Sequence, residues 1–175
     1  MLKGTLQAVL PLLTRGLFAL CILFPATAQA WEGIAVRILD GDTVVVAPYG
    51  ASHGDISVRL YGIDAPELDQ PGGMASREAL EGHVRPGDTV KIIPLANDRY
   101  SRTVGLLIHG DVILNYEQVR QGYAWVYPQY CKARFCKEWR NAEQTARQAQ
   151  NGLWGDTSPL PPWEWRHGNA SIPNK

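Results

Sequence analysis

The chain has 175 residues, 45% of them hydrophobic, and its 17 Lys and Arg are balanced by 17 Asp and Glu. A formal net charge of zero excludes a protein that coats nucleic acid by bulk charge, because such proteins are basic overall. Any polyanion bound here has to be gripped locally.

At the N-terminus, Lys3 and Arg15 precede the apolar run GLFALCILF, and Pro25 leads into the small-residue site ATAQA ending at Ala30. This pattern predicts a secretory signal peptide over 1–30 and a secreted or periplasmic protein with no stable membrane association after cleavage. A retained membrane helix needs about 18 consecutive apolar residues, and this run is about half that. Removal of residues 1–30, which hold two basic residues and no acid, leaves 145 residues with 15 Lys and Arg against 17 Asp and Glu. That is the size of one domain, predicted over 31–158, followed by a Pro/Trp-rich tail over 159–175. No long apolar surface demands a partner, so a monomer is expected.

Five β-rich stretches follow: GIAVRIL (33–39), DTVVVAP (42–48), ISVRLYGI (56–63), DTVKIIPL (88–95) and TVGLLIH (103–109). Between the third and fourth, MASREALEGHV puts Ala75, Ala79 and Leu80 on one helical face. After the fifth, VILNYEQVRQG places Ile113, Tyr116 and Val119 at helical spacing before Gly122, and 137–150 forms a second amphipathic helix. The order predicts an α+β fold, a five-stranded OB-fold β-barrel with about three flanking helices. The tail SPLPPWEWRHGNASIPNK is expected to be extended, with its tryptophans packed on the body.

Cys131 and Cys136 are the cysteines that outlast processing, and an oxidising compartment favours a disulfide between them. Five residues of α-helix rise about 7.5 Å, too far for a disulfide, so pairing makes this segment a loop. A zinc site would need a second ligand pair at fixed spacing.

Three blocks carry chemistry. In RILDGDTVVV, Asp40 and Gly41 suit a tight hairpin turn with positive φ, but the turn does not require Asp42 as well. In ISVRLYGIDAPE, Ile56, Val58 and Leu60 alternate onto one face while Ser57, Arg59, Tyr61 and Ile63 take the other. The strand ends at Asp64, and Pro66 turns the chain before Glu67. A helix-capping role for DAPE is opposed by LDQPGG, which stops any helix within about a turn and a half. In NDRYSRTVG, Arg99 and Arg102 flank Tyr100, which suits phosphate and a stacked base. Phosphodiester hydrolysis needs cations aimed at the phosphate oxygens (Arg59, Arg102), hard oxygen ligands for a divalent ion (Asp42, Asp64 and the Ala65 carbonyl) and a proton acceptor (Glu67).

In order, DGDTVVV, VRLYGIDAPE, DRYSR and VRQGYAWV resemble the staphylococcal nuclease, or thermonuclease, family over roughly residues 33–130. The resemblance implies the OB-fold barrel and calcium-dependent cleavage of DNA and RNA, with the 5′-oxygen leaving and 3′-phosphates as products. It implies Ca2+ held by Asp42, Asp64 and the Ala65 carbonyl, catalysis by Arg59, Arg102 and Glu67, and phosphate contacts from Arg99 and Tyr100. The loop LDQPGGMAS is shorter than the family's lysine-rich loop, and Pro128 stands where a base-contacting tyrosine is expected, with Tyr127 and Tyr130 beside it. The PPWEWR tail is similar to tails of secreted bacterial relatives and is given only a packing role. The rival reading is a barrel that binds nucleic acid without cutting it. Retention of all three acids beside a phosphate site opposes that reading, since they repel the ligand.

Overall fold

The computed structural model describes residues 29–51, 54–98 and 102–170. Nearly all of the expected leader, together with Arg99 and Tyr100, lies outside these residues. In chain order the strands are β1 (Trp31–Asp40), β2 (Thr43–Pro48), β3 (Ile56–Leu60), β4 (Ile63–Asp64), β5 (Thr89–Asn97), β6 (Thr103–His109), β7 (Val112–Ile113) and β8 (Trp125–Val126). The helices are α1 (Gly73–Glu81), α2 (Leu114–Arg120), α3 (Cys136–Gln148) and α4 (Pro162–Ala170), with a 3-10 turn at Gly152–Gly155.

Five strands close a mixed barrel in the order β3-β2-β1-β5-β6, because β3 also pairs in parallel with β6. Closure leaves the long strands without a free edge to pair elsewhere. The β-branched run of β2 buries Val44, Val45 and Val46, and β3 contributes Val58 and Leu60 to the same interior as Val90, Ile92 and Leu107. Curvature comes from irregularities in β1 and from a bulge beside Pro94, which has no N–H to give the ladder. Leu80 of α1 together with Leu114 and Val119 of α2 caps this core. A second cluster, Trp125, Ala146, Leu153 and Trp154, lies under the tail.

This is the predicted α+β barrel, with several local differences. The buried face of α1 is Gly73, Ser76 and Leu80, while Ala75 is exposed, because Ser76 turns inward to donate a 2.6 Å hydrogen bond to the Tyr123 carbonyl. Ile113 lies in β7, before the helix it was expected to join. Ile63 is buried in the core instead of sharing the Arg59 face, because Gly62, at φ +75°, breaks the alternation. Within the tail, Pro162–Ala170 form a fourth helix where an extended segment was expected. It begins at Pro162, whose fixed φ and missing N–H suit the first helical position. Cys131 and Cys136 are bridged with Cα atoms 5.7 Å apart, in a loop that ends where α3 begins.

Candidate active site

The site is built at the β1–β2 turn. Asp40 pairs with Thr43, leaving Gly41 and Asp42 between them, and neither adopts the positive φ expected of the turn. Gly41 is needed for room: a Cβ there would stand 1.9 Å from Ser76 Oγ on α1. Gln118 of α2, fully buried, donates from Nε2 to the Gly41 carbonyl at 2.7 Å and so fixes the turn from below. Asp40 Oδ1 accepts the Asp42 N–H at 2.9 Å, an Asx-type hydrogen bond that holds the turn. Asp42 instead points inward, 1% exposed, where Oδ2 accepts the Ala65 N–H at 2.6 Å and Oδ1 accepts the Thr43 hydroxyl at 3.1 Å. Ala65, expected to offer its carbonyl, thus contributes an N–H that ties the two acid-bearing segments together.

On β3, the register that buries Val58 and Leu60 turns Arg59 the other way. Gly62 then bends the chain so tightly against the disulfide that a Cβ would stand 2.7 Å from Cys131 Sγ. After the bend, β4 pairs with β8 and brings Asp64 to the same place, fully buried. No helix follows DAPE. The chain turns at Leu68–Asp69, and Gly73 packs so closely that a Cβ would lie 1.9 Å from the Glu67 carbonyl oxygen.

The two aspartates meet at one guanidinium. Arg59 Nη1 pairs with Asp42 Oδ1, and Arg59 Nη2 donates to Asp64 Oδ1 at 2.6 Å. Two carboxylates buried so close together need such a counter-charge, since an unpaired buried ion costs several kcal/mol, of order 3–5 when one partner is removed. Arg102 Nε is held by Asp98 Oδ2 at 2.6 Å at the start of β6. Arg59, Glu67 and Arg102 line one cleft of about 620 Å³, together with Asp40, Tyr127 and Arg166. Burial pulls the Arg59 guanidinium below its ordinary value; Asp64 and Asp40 oppose this, while the nearby Arg102 adds to it. The two arginines therefore sit within electrostatic reach of each other. Burial also raises the Asp40 carboxyl above its usual range, against the pull of Arg59 and the Thr43 hydrogen bond. A second cavity, about 380 Å³, lies between the 3-10 turn and the tail and presents Asp156 but no cation.

The sequence matches the family described as Staphylococcal nuclease homologue over residues 57–156. It is 39% identical over 145 residues to the "Uncharacterized endonuclease" of Escherichia coli O157:H7, covering 82% of this chain and 90% of that protein. The protein of the same name from Haemophilus influenzae is 34% identical over 155 residues, covering 89% and 84% respectively. The "Micrococcal nuclease" of Shigella flexneri is 33% identical over 168 residues, covering 89% and 94%. The chain belongs to the staphylococcal nuclease family.

Within this family fold, Arg59, Glu67 and Arg102 line the cleft, Asp42 and Asp64 are buried behind it on the Arg59 guanidinium, and Ala65 is bonded to Asp42. Both Tyr127 and Tyr130 border the cleft; Tyr127 is stacked on Trp163 at 5.1 Å, whereas Tyr130 remains 57% exposed. Three residues escaped the sequence reading. Asp40 reads from sequence only as a turn residue, although the doubled acid of DGD marks it. Gln118 is hidden among polar neighbours in NYEQVRQ. Arg166 of α4 reaches Asp64 Oδ2 at 2.7 Å through Nη2, and Glu67 Oε1 at 2.7 Å and Asp64 Oδ1 at 3.3 Å through Nη1. Burial acts to lower Arg166, but its bonds to Asp64 and Glu67 outweigh this and lift it above the ordinary guanidinium value.

Among the described residues, no three His, Cys, Asp or Glu side chains gather as a metal centre. The donor chemistry nonetheless fits a hard divalent ion. Asp42 and Asp64 both present an Oδ1 to Arg59, and on each the Oδ2 accepts one hydrogen bond, from the Ala65 N–H and from Arg166 Nη2, leaving a lone-pair site on that oxygen. An ion drawing on two carboxylates completes its shell from backbone carbonyl, water and substrate oxygen, as an open catalytic site requires.

Proposed function

We propose that this protein is a calcium-dependent nuclease that hydrolyses phosphodiester bonds of DNA and RNA, releasing the 5′-oxygen and leaving 3′-phosphates. The observation that carries this reading is the convergence of two carboxylate-anchored arginines and a half-exposed glutamate on one open cleft above a buried aspartate pair.

Phosphodiester cleavage gathers negative charge on the equatorial phosphate oxygens as water adds. Arg59 and Arg102 are each fixed by a carboxylate before substrate arrives, so little reorganisation is needed for them to face that charge. Asp42 and Asp64, with the Ala65 carbonyl, are the residues that would hold the ion. When bound, the ion neutralises phosphate charge and orients water. Glu67 takes the proton from the attacking water, a role suited to a carboxylate 39% exposed at the cleft wall. Arg99 and Tyr100 are assigned contacts to the substrate phosphate by the family resemblance. Tyr130 offers an exposed ring for a base. Lys3, Arg15 and the small-residue site at Ala30 support export to the periplasm or medium, where the Cys131–Cys136 bridge is at home.

Mass analysis of products from single-stranded DNA and RNA digested by the purified protein with calcium tests the cleavage direction. Fragments ending in 3′-phosphate are expected with both polymers. Fragments ending in 3′-hydroxyl and 5′-phosphate contradict the assignment of the leaving oxygen.

A further inference from the structure

The C-terminal segment is seated on the cleft by three contacts. Gln70, buried, accepts the Glu67 N–H at 3.2 Å through Oε1 and donates from Nε2 to the Leu160 carbonyl at 2.6 Å, so one side chain ties the Glu67 loop to the tail. Trp163 stacks on Tyr127, with ring planes 7° apart, and packs against the Trp125–Trp154 cluster. Arg166, one helical turn after Pro162, is thereby aimed at Asp64 and Glu67.

The backbone of Glu67 is fixed by Gly73 and Gln70, but its carboxylate is not. Among the described residues, its hydrogen-bond partner is Arg166 Nη1. A glutamate that is 39% exposed and otherwise unsupported would sample several rotamers. The fork of Arg166 selects one of them and ties it to Asp64. The same fork covers Asp64 Oδ2, an oxygen that Arg59 leaves open. Charge points the same way. Among the described residues, Asp40, Asp42, Asp64, Glu67 and Asp98 meet Arg59, Arg102 and Arg166, so without Arg166 five carboxylates face two guanidiniums.

We propose that α4 is part of the active site: Arg166 positions the Glu67 carboxylate and, through Asp64, holds the place that a divalent cation takes. This rests on the nuclease reading above. It gives the tail two opposed effects, since Arg166 orders the proton acceptor and also competes with the ion for Asp64.

The test compares wild type with Arg166→Gln in two measurements: calorimetric titration with calcium chloride alone, and kcat and KM on an oligonucleotide. Loss of the competing charge is expected to tighten calcium binding at least about threefold. Loss of alignment at Glu67 is expected to lower kcat at least about tenfold, with KM within about twofold. Arg166→Lys restores a single charged donor and is expected to recover part of kcat. Arg166→Met, which keeps the aliphatic stem, makes the same comparison if glutamine unsettles the helix. Wild-type calcium affinity together with wild-type kcat in the Gln or Met variant overturns the proposal. A wild-type protein that cleaves nothing sinks the nuclease reading instead, and the calcium titration then decides whether Arg166 competes at Asp64.

Discussion

Glu67→Gln is expected to lower kcat by at least about a hundredfold, as loss of a positioned proton acceptor commonly does. The exchange is nearly isosteric, and the amide oxygen can still accept from Arg166, so the fold and the bound phosphate should be little affected. Stopped-assay kinetics with a thermal unfolding scan check both halves: kcat falls, while KM and the unfolding midpoint stay close to wild type. A variant keeping more than about a tenth of wild-type kcat would remove Glu67 from this role. The side chain is half-exposed and outside the core, which makes a fall in kcat hard to attribute to misfolding.

Arg59→Ala should damage stability and catalysis together. Asp42 and Asp64 are 1% and 0% exposed and share this guanidinium, so its removal leaves two carboxylates buried side by side. Asp42 would keep the Ala65 N–H and the Thr43 hydroxyl, and Asp64 would keep Arg166. Breaking a buried pair from one side costs about 3–5 kcal/mol, which lowers the unfolding midpoint by about 10 °C in a domain of this size. Calcium at millimolar concentration is expected to return part of that loss, because a divalent ion supplies the missing counter-charge. Residual activity should fall at least about a hundredfold, as loss of a charge-stabilising donor does. A variant as stable as wild type without calcium would show that the aspartates do not depend on Arg59.

Much of this site can be read from local sequence because local rules place its parts. Alternation in ISVRL puts Arg59 opposite Val58 and Leu60 whatever the rest of the chain does, and Pro66 with PGG prevents a helix that would carry Glu67 away. The barrel follows from the same logic, since five β-rich stretches with one helix between the third and fourth allow few topologies.

What could not be read depends on contacts between distant segments. Gly41 looked like a conformational requirement and is a steric one, visible only once Ser76 is seen beneath it, 35 positions along the chain. Ile63 changes face because a single glycine resets the strand, and alternation cannot be carried across such a bend. The tail misled in a different way. Pro161 and Pro162 suggested an extended segment, but the second proline opens a helix, and only that helix brings Arg166 to acids about a hundred residues earlier.

Calcium add-back tests the central claim most directly. Wild-type protein is stripped with a chelator and assayed on single-stranded DNA, then assayed again after excess calcium is restored. Cleavage that stops with the chelator and returns with calcium is the predicted result. Cleavage that continues unchanged through chelation would contradict a site in which Asp42 and Asp64 hold the working ion.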